Sequence, residues 1–487
     1  MNRKMVFYMV GQIIKMGAAL LALPFLVSLC YLKTDGAQSL LAFAITACIA
    51  LAVGFALTLL CRTEKKDIFA KEGFAITALA WIALSAIGAL PFVFSGAIPN
   101  YIDAFFETVS GFTTTGASIL TGAQIDALNL TAHGILFWRS FTHWMGGMGV
   151  LVLIVAILPT VSGRTIHILR AEMPGPTMGK LVPKLKDTAK ILYFMYFVLT
   201  LAEMILLICG GMPVFDSVVH SLGTAGTGGF GIHADSIASY SPYCQWVITV
   251  FMALFGVNFN LYYLLLFRRM KGVLKSEELW TYLGFVVLSS VLICFNTAAN
   301  TPAVSDTIRN AVFQVSSFIT TTGYSTVDVN SWPVISKTVL LILMFVGGCA
   351  GSTAGGLKVS RVVLLFKTVK RELRRMIHPR AVDVVKFEGK KVEDATLSGV
   401  GIYFAVYMFL LFAVFFLISL DGFSIETNFS AAVSTFNNIG PAFGDAAGGF
   451  FIYSPLSKLV MSFAMLFGRL EIYPLLLCFS YSTWKGK

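Results

Sequence analysis

Four short segments of the chain end in the same kind of tail: Thr113-Thr114-Thr115-Gly116, Ala225-Gly226-Thr227-Gly228, Thr320-Thr321-Thr322-Gly323 and Asn437-Asn438-Ile439-Gly440. The chemistry such tails suit is coordination of a dehydrated cation by backbone carbonyls. Carbonyls that converge from several sides need residues tolerant of unusual dihedrals, and glycine supplies that tolerance. Aligned on these glycines, Ser110, Leu222, Ser317 and Ser434 stand six positions earlier, and Thr115, Thr227, Thr322 and Ile439 one position earlier.

The elements that must hold these tails are legible around them. Each follows a stretch too short to cross a bilayer (102–112, 214–222, 304–319 and 425–436) and lies between two stretches long enough to do so. A half-helix aiming its C-terminal end at the tail adds about half a negative charge there, which favours a cation. Irregular backbone at membrane depth is tolerated only where it lines a wet cavity or is buried in protein. Four loops around one axis meet that condition, and the repeating unit is span, half-helix, glycine loop, span. Acids near the half-helix starts (Asp103, Asp216, Asp306, Glu426) fit the positive end of each helix dipole, with attraction of cations to an outer mouth as an added role.

Composition sets the class. With 57% hydrophobic and 13% charged residues, and a mean hydropathy of +0.80, the chain is a polytopic membrane protein. Ten apolar stretches of about 20 residues, the length that crosses the hydrocarbon, lie at 7–31, 39–61, 73–94, 134–159, 191–209, 243–267, 279–295, 332–366, 400–420 and 456–481, the eighth interrupted by glycines. The reading is an all-α polytopic fold: four pseudo-symmetric helix–pore-loop–helix repeats plus two N-terminal transmembrane helices. Its divisions are 1–66 for the two N-terminal helices, then repeats at 67–165, 166–272, 273–378 with the glycine-rich intramembrane loop, and 379–487.

Lysines and arginines gather after the second, fourth, sixth and eighth spans, at Arg62 with Lys65, Lys66 and Lys71, then in 164–190, 268–275 and 361–391, and at Lys485 and Lys487. The positive-inside rule puts both termini in the cytoplasm and the four loops on the outside. This topology accounts for most of the +11 charge without a nucleic-acid partner; anionic membrane lipid or an acidic protein could use the same residues. The eight cysteines, without CxxC pairs, read as core residues. Gly226 to Gly231 spells GxGxxG but lacks a βαβ context, and 351–358 lacks the residues of a phosphate loop around Lys358. The histidines have no metal spacing, and no catalytic triad or carboxylate pair stands out, so the chain does not read as an enzyme.

Two further features carry function. Gly347, Gly348, Gly351, Gly355 and Gly356 cannot hold a regular helix well, at about 1 kcal/mol each relative to alanine, so an intramembrane loop is expected, with a GxxxG packing face as the alternative. Arg469, inside an apolar span, costs at least about 2.5 kcal/mol and must face water or an acid. Glu471 is nearest but does not share its helix face. Arg139 raises the same question and reads as structural.

The four loops, the run Gly347-Gly348-Cys349-Ala350-Gly351-Ser352-Thr353-Ala354-Gly355-Gly356, the segment Trp138-Arg139 through Gly149, and Gly468-Arg469-Leu470-Glu471 together resemble the Trk/Ktr potassium uptake family, closest to its TrkH type, over nearly the whole chain. The resemblance implies potassium (K+) uptake across a bacterial plasma (inner) membrane, channel-like and gated from the cytoplasm. It implies a homodimer with one pore per subunit, and a cytoplasmic TrkA-like nucleotide-binding ring. It implies that Thr114, Thr115, Gly116, Gly226, Thr227, Gly228, Thr321, Thr322, Gly323, Asn438, Ile439 and Gly440 form the filter. The loop with Gly347, Gly348, Gly351, Ser352, Thr353, Gly355 and Gly356 would be a gate beneath it, with Arg469 in the pore; pairing to an acid for assembly is the other reading of Arg469. A secondary transporter of another solute and a general K+/Na+ pathway remain alternatives.

Overall fold

The computed structural model describes residues 1–63, 69–149, 185–268, 270–298, 303–380 and 383–485. Expectations that fall on Lys65, Lys66, Lys487, most of the basic segment 164–190 and the end of the fourth span at 150–159 lie outside the described residues. The described chain is almost wholly helical, with one two-residue antiparallel ribbon, Lys386–Phe387 against Lys390–Lys391.

Among the described residues, six helices are long and apolar enough to span a membrane: Arg3–Cys30, Ala37–Leu60, Lys71–Phe94, Ala189–Cys209, Glu277–Thr297 and Asp394–Asp421. Their outward faces carry large apolar side chains such as Leu60, Phe295, Phe409 and Phe416, as lipid contact requires. The first two pack closely because Gly11 meets the backbone of Gly54, with no room for a Cβ on either. Arg3 donates to the Trp484 carbonyl at 2.9 Å, so the two ends of the chain lie on the same side of the bundle.

The expected spans differ most where they break. The sixth bends by 93° between Pro242–Phe255 and Phe259–Leu266, where Asn258 caps the second piece by accepting from the Asn260 N–H. The eighth divides into Val334–Val346 and Val359–Ile377, with 347–358 non-helical between them. That excludes the GxxxG packing face: these glycines are not on a helix, and Gly347, Gly351 and Gly356 have φ of +70°, +74° and +76°. The tenth also breaks, at Leu470 to Ile472, between Pro455–Arg469 and Tyr473–Phe479. There Glu471 and the β-branched Ile472 take positive φ, a strained choice. The compensation is tertiary: Glu471 leaves the helix line to pair with Arg361, at 3.2 Å from one nitrogen and closer from the other.

The short helices stand at Tyr101–Phe112, Val214–Gly226, Val304–Ile319 and Ile425–Asn437. At 1.5 Å per residue they reach about 18–24 Å, short of the roughly 30 Å hydrocarbon core. Side chains cap two of them, Asn100 accepting from the Ile102 N–H and Ser424 from the Thr427 N–H. The first-turn acids are partnered. Asp103 binds Lys458 at 2.7 Å, Asp306 binds Arg309 at 2.8 Å, Glu426 binds Lys337 at 3.0 Å, and Asp216 accepts from the Tyr240 hydroxyl at 2.8 Å. Cys244, Cys349 and Cys478 are buried as expected, whereas Cys30, Cys48 and Cys209 lie on the outer surface.

Candidate functional site

The four tails leave their helices in one way. Thr114, Thr227, Thr321 and Asn438 have left-handed φ of 56°, 55°, 56° and 58°. The next residue in each case donates its N–H back to the carbonyl five residues earlier: Thr115 to Ser110, Gly228 to Gly223, Thr322 to Ser317 and Ile439 to Ser434, at 2.9, 2.9, 2.8 and 3.0 Å. A glycine of positive φ then follows, and these are Gly116, Gly229, Gly323 and Gly440, at 77°, 75°, 86° and 102°.

This geometry corrects the sequence alignment at the second loop. Gly228 occupies the place of Thr115, Thr322 and Ile439, and the equivalent of the other three glycines is Gly229. Gly226 is the last residue of its helix, packed against the His143 carbonyl. The doubled glycine 228–229 allows two registers. Counting from the hydroxyl or amide residue two positions before each glycine (Thr114, Thr227, Thr321, Asn438) would have chosen the right one.

The loops close on one another in a ring. A Cβ added to Gly116 would run into the Gly228 carbonyl oxygen, one on Gly229 into that of Thr322, one on Gly323 into that of Ile439, and one on Gly440 into that of Thr115. All four approaches are under 3.0 Å, which real Cβ atoms essentially never show. Each glycine is therefore required twice, by its φ and by the carbonyl of the next loop. The order first to second to third to fourth to first puts the carbonyls of Thr115, Gly228, Thr322 and Ile439 at equivalent positions around one axis. The fourth loop, with Asn438, Ile439 and then Pro441, keeps the backbone form while changing the side chains. Asn438 donates to the Thr115 hydroxyl and to the Met465 carbonyl, both at 2.9 Å, tying the fourth loop to the first.

Residues that follow the glycines line a cavity of about 230 Å³, together with Gly116, Gly229, Gly323 and Gly440 themselves. Arg139 organises one wall. It is 2% exposed and pairs with the wholly buried Glu107, through Nε at 2.9 Å and Nη2 at 2.8 Å. It also donates to the Gly231 carbonyl at 3.1 Å and lies 4.0 Å over the Phe230 ring. Glu107 in turn accepts from the Ser118 hydroxyl and the Ile119 N–H, both at 2.9 Å. One buried ion pair thus holds the segments leaving the first and second loops, so the structural reading of Arg139 has a definite geometry.

Residues that precede the glycines meet the interrupted span. The Gly355 N–H donates to the Thr321 hydroxyl at 2.6 Å, and the Gly356 N–H to the Asn437 carbonyl at 3.1 Å. Ser352 and Thr353 satisfy freed carbonyls, donating to Cys349 and Phe255 at 2.6 and 3.2 Å. The Val359 N–H returns to the Gly348 carbonyl, closing the segment on itself. Arg469 grips it from the last long helix, donating to the carbonyls of Thr353 at 2.9 Å and Gly147 at 2.6 Å, and to that of Gly146. All three of these acceptors are carbonyls, and Glu471 is engaged by Arg361 instead. Lys358, considered in the sequence only as part of a rejected phosphate loop, is 3% exposed, has a φ of +76° and donates to the Ala354 carbonyl. A lysine inside an apolar span was the available signal. Lys358, Arg469 and Arg361 thus bring three cationic side chains to one side of the ring.

Comparisons with known proteins place the chain's sequence and overall fold. The family model described as TrkH, cation transport protein, matches residues 39–299 and 279–485. The Trk system potassium uptake protein TrkH of Salmonella typhimurium is 38% identical, with 100% of both chains covered. The Trk system potassium uptake protein TrkG of Escherichia coli is 33% identical over 99% of both. Among solved structures, the potassium transporter TrkH from Vibrio parahaemolyticus superposes with a TM-score of 0.87 at 32% identity, covering 100% of both chains.

Proposed function

The chain belongs to the TrkH family of cation transport proteins, and from that membership we propose that it takes up potassium through the ring of four glycine loops. The observation that carries this reading is the cyclic register, in which each loop's glycine abuts the carbonyl preceding the next loop's glycine. Carbonyls so placed replace the hydration shell of a monovalent cation. The C-terminal ends of four half-helices bring partial negative charge to the same level. The relatives are named potassium uptake proteins, and that ion is the substrate.

The cavity beyond the glycines is the outer vestibule, and the segment 347–358 with Arg469 is the gate on the cytoplasmic side. In the closed form Arg469 and Lys358 hold the gate against the ring and set positive charge in the ion's path. A negative-inside potential suffices as the driving force: one charge falling through 100 mV gains about 2.3 kcal/mol, or roughly 50-fold accumulation. The chain works as a homodimer in the bacterial inner membrane, with both termini cytoplasmic. A nucleotide-binding ring docks on the basic segments 164–190 and 361–391 and opens the gate. An anion or organic-solute carrier would instead present helix N-termini to the substrate, and the first-turn acids here are tied to other side chains.

Rubidium-86 uptake into proteoliposomes under an inside-negative potential tests the proposal. Uptake competed by potassium and little affected by sodium or amino acids is expected. Uptake competed equally by sodium would reduce the ring to a general monovalent-cation pathway, and competition by an organic solute would overturn it.

A further inference from the structure

Glu278 stands at the start of the Glu277–Thr297 helix, 5% exposed, and contributes nothing to the ring itself. One of its oxygens accepts two backbone N–H groups ten residues apart in the interrupted span: Ala350 at 2.7 Å and Ser360 at 3.2 Å. Ala350 lies inside the break and Ser360 in the helix that resumes after it. The carboxylate therefore bridges the segment to its exit helix from a third, separate element. Charge-assisted hydrogen bonds to backbone N–H groups are about twice as strong as neutral ones, so this is a principal tether of the segment.

A second carboxylate sets the first. Glu388, at the tip of the ribbon Lys386–Lys391, accepts from the Ser276 hydroxyl at 3.0 Å and from the Glu278 N–H at 3.1 Å. Both contacts lie at the N-terminus of the Glu278 helix, where anions are favoured. Glu388 has a φ of +52° and Gly389 one of +74°, a two-residue turn whose first position favours Asn, Asp or Gly. A glutamate there is strained, and its side chain is what reaches the helix.

The ribbon's body belongs elsewhere. Phe387 is buried with Leu364, Leu397 and Val400, and the Lys386 carbonyl accepts from Lys367 at 2.7 Å. Lys367 and Leu364 lie on Val359–Ile377, the helix that continues from the break. Leu397 and Val400 belong to the helix that follows the ribbon, and Lys367 also pairs with Glu277 beside Glu278, so the ribbon ties three helices together, and separating the exit helix from the Glu278 helix would strain the Glu388 contacts.

We infer that Glu278 is the latch of the intramembrane segment and that Glu388 is its positioning residue, coupling movement of the cytoplasmic ribbon to release of the segment. The inference rests on the reading of 347–358 as the gate. Neither residue touches the ion.

The test uses full-length protein in lipid nanodiscs and proteoliposomes, with Glu278→Gln and Glu388→Asn; the latter suits the turn and shortens the reach, so it guards against simple misfolding. Hydrogen exchange of peptides spanning 347–360 is expected to speed up at least tenfold in both variants. Partner-free rubidium flux should rise several-fold while the preference for potassium over sodium stays at the parent value. Glu278→Asp, which keeps the charge, should restore part of the protection. Unchanged exchange in both variants overturns the latch, as does raised flux without faster exchange. Faster exchange with no potassium-selective flux from any protein, the parent included, upholds the latch and refutes the pore.

Discussion

Replacing Gly229 with serine should damage ion discrimination as much as the same change at Gly116, Gly323 or Gly440, whereas Gly228 should respond differently. The added Cβ at 229 meets two independent obstacles: a φ of +75°, and the Thr322 carbonyl carbon and oxygen, both within 3.0 Å. The left-handed backbone alone costs roughly 1–2 kcal/mol for a residue with a Cβ. The overlap cannot be relieved by a rotamer, because the obstructing atoms are backbone of the third loop. That loop must move, and the Thr322 carbonyl leaves its position in the ring. A loss of about 1–2 kcal/mol in the difference between two ions is roughly a 5–30-fold loss of preference. Under bi-ionic potassium and sodium, each tenfold moves the reversal potential by about 59 mV, so a shift of about 40–90 mV is expected. At Gly228 the obstacle is the wholly buried His143 ring, so relief falls on a side chain rather than on a neighbouring loop's carbonyl, and the φ is not in the left-handed region. Alanine at 228 should keep more of the preference than serine at 229. Selectivity retained in Gly229→Ser and lost in Gly228→Ala would refute the register drawn from the structure.

Other outcomes follow from the same contacts. Arg469→Ala removes the donor to three carbonyls, two at the helix end Gly146–Gly147 and one in the gate segment; partner-free rubidium flux should rise about tenfold, and an unaltered flux would assign Arg469 to assembly. Thr321→Val deletes the hydroxyl that accepts from Gly355, so single-channel recordings should show more frequent opening at unchanged conductance. Glu107→Gln strands the buried Arg139 charge and should cost about 3–5 kcal/mol, read as a large fall in the thermal midpoint of detergent-purified protein. Adding Arg139→Met to that variant should recover part of the loss, and no recovery would show that the pair acts by more than charge compensation.

Much of this architecture was legible because glycines and polar residues punctuate apolar runs in few ways. The half-helices were placed within a residue at most ends, since Asn100, Ser424 and the tails mark their limits. The second helix ran to Gly226, four residues beyond the expected end, because helical glycines there pack against Tyr324 and His143 rather than ending the helix. Positions fixed by distant partners were not legible. The break at Leu470 to Ile472 depends on Glu471 meeting Arg361, 110 residues away, and Asp103 meets Lys458, 355 residues away. The bend at Gly256 to Asn258 likewise becomes intelligible only with the gate segment in place: the Gly256 carbonyl accepts from the Cys349 N–H at 2.9 Å and the Phe259 N–H donates to Gly351 at 3.0 Å. No local pattern announces a contact of that kind.

Anomalous scattering from crystals grown in rubidium tests the central claim most directly. A peak on the axis, equidistant from the carbonyl oxygens of Thr115, Gly228, Thr322 and Ile439 and displaced by potassium, is the predicted result. A ring that stays empty while rubidium collects elsewhere in the molecule would contradict the account.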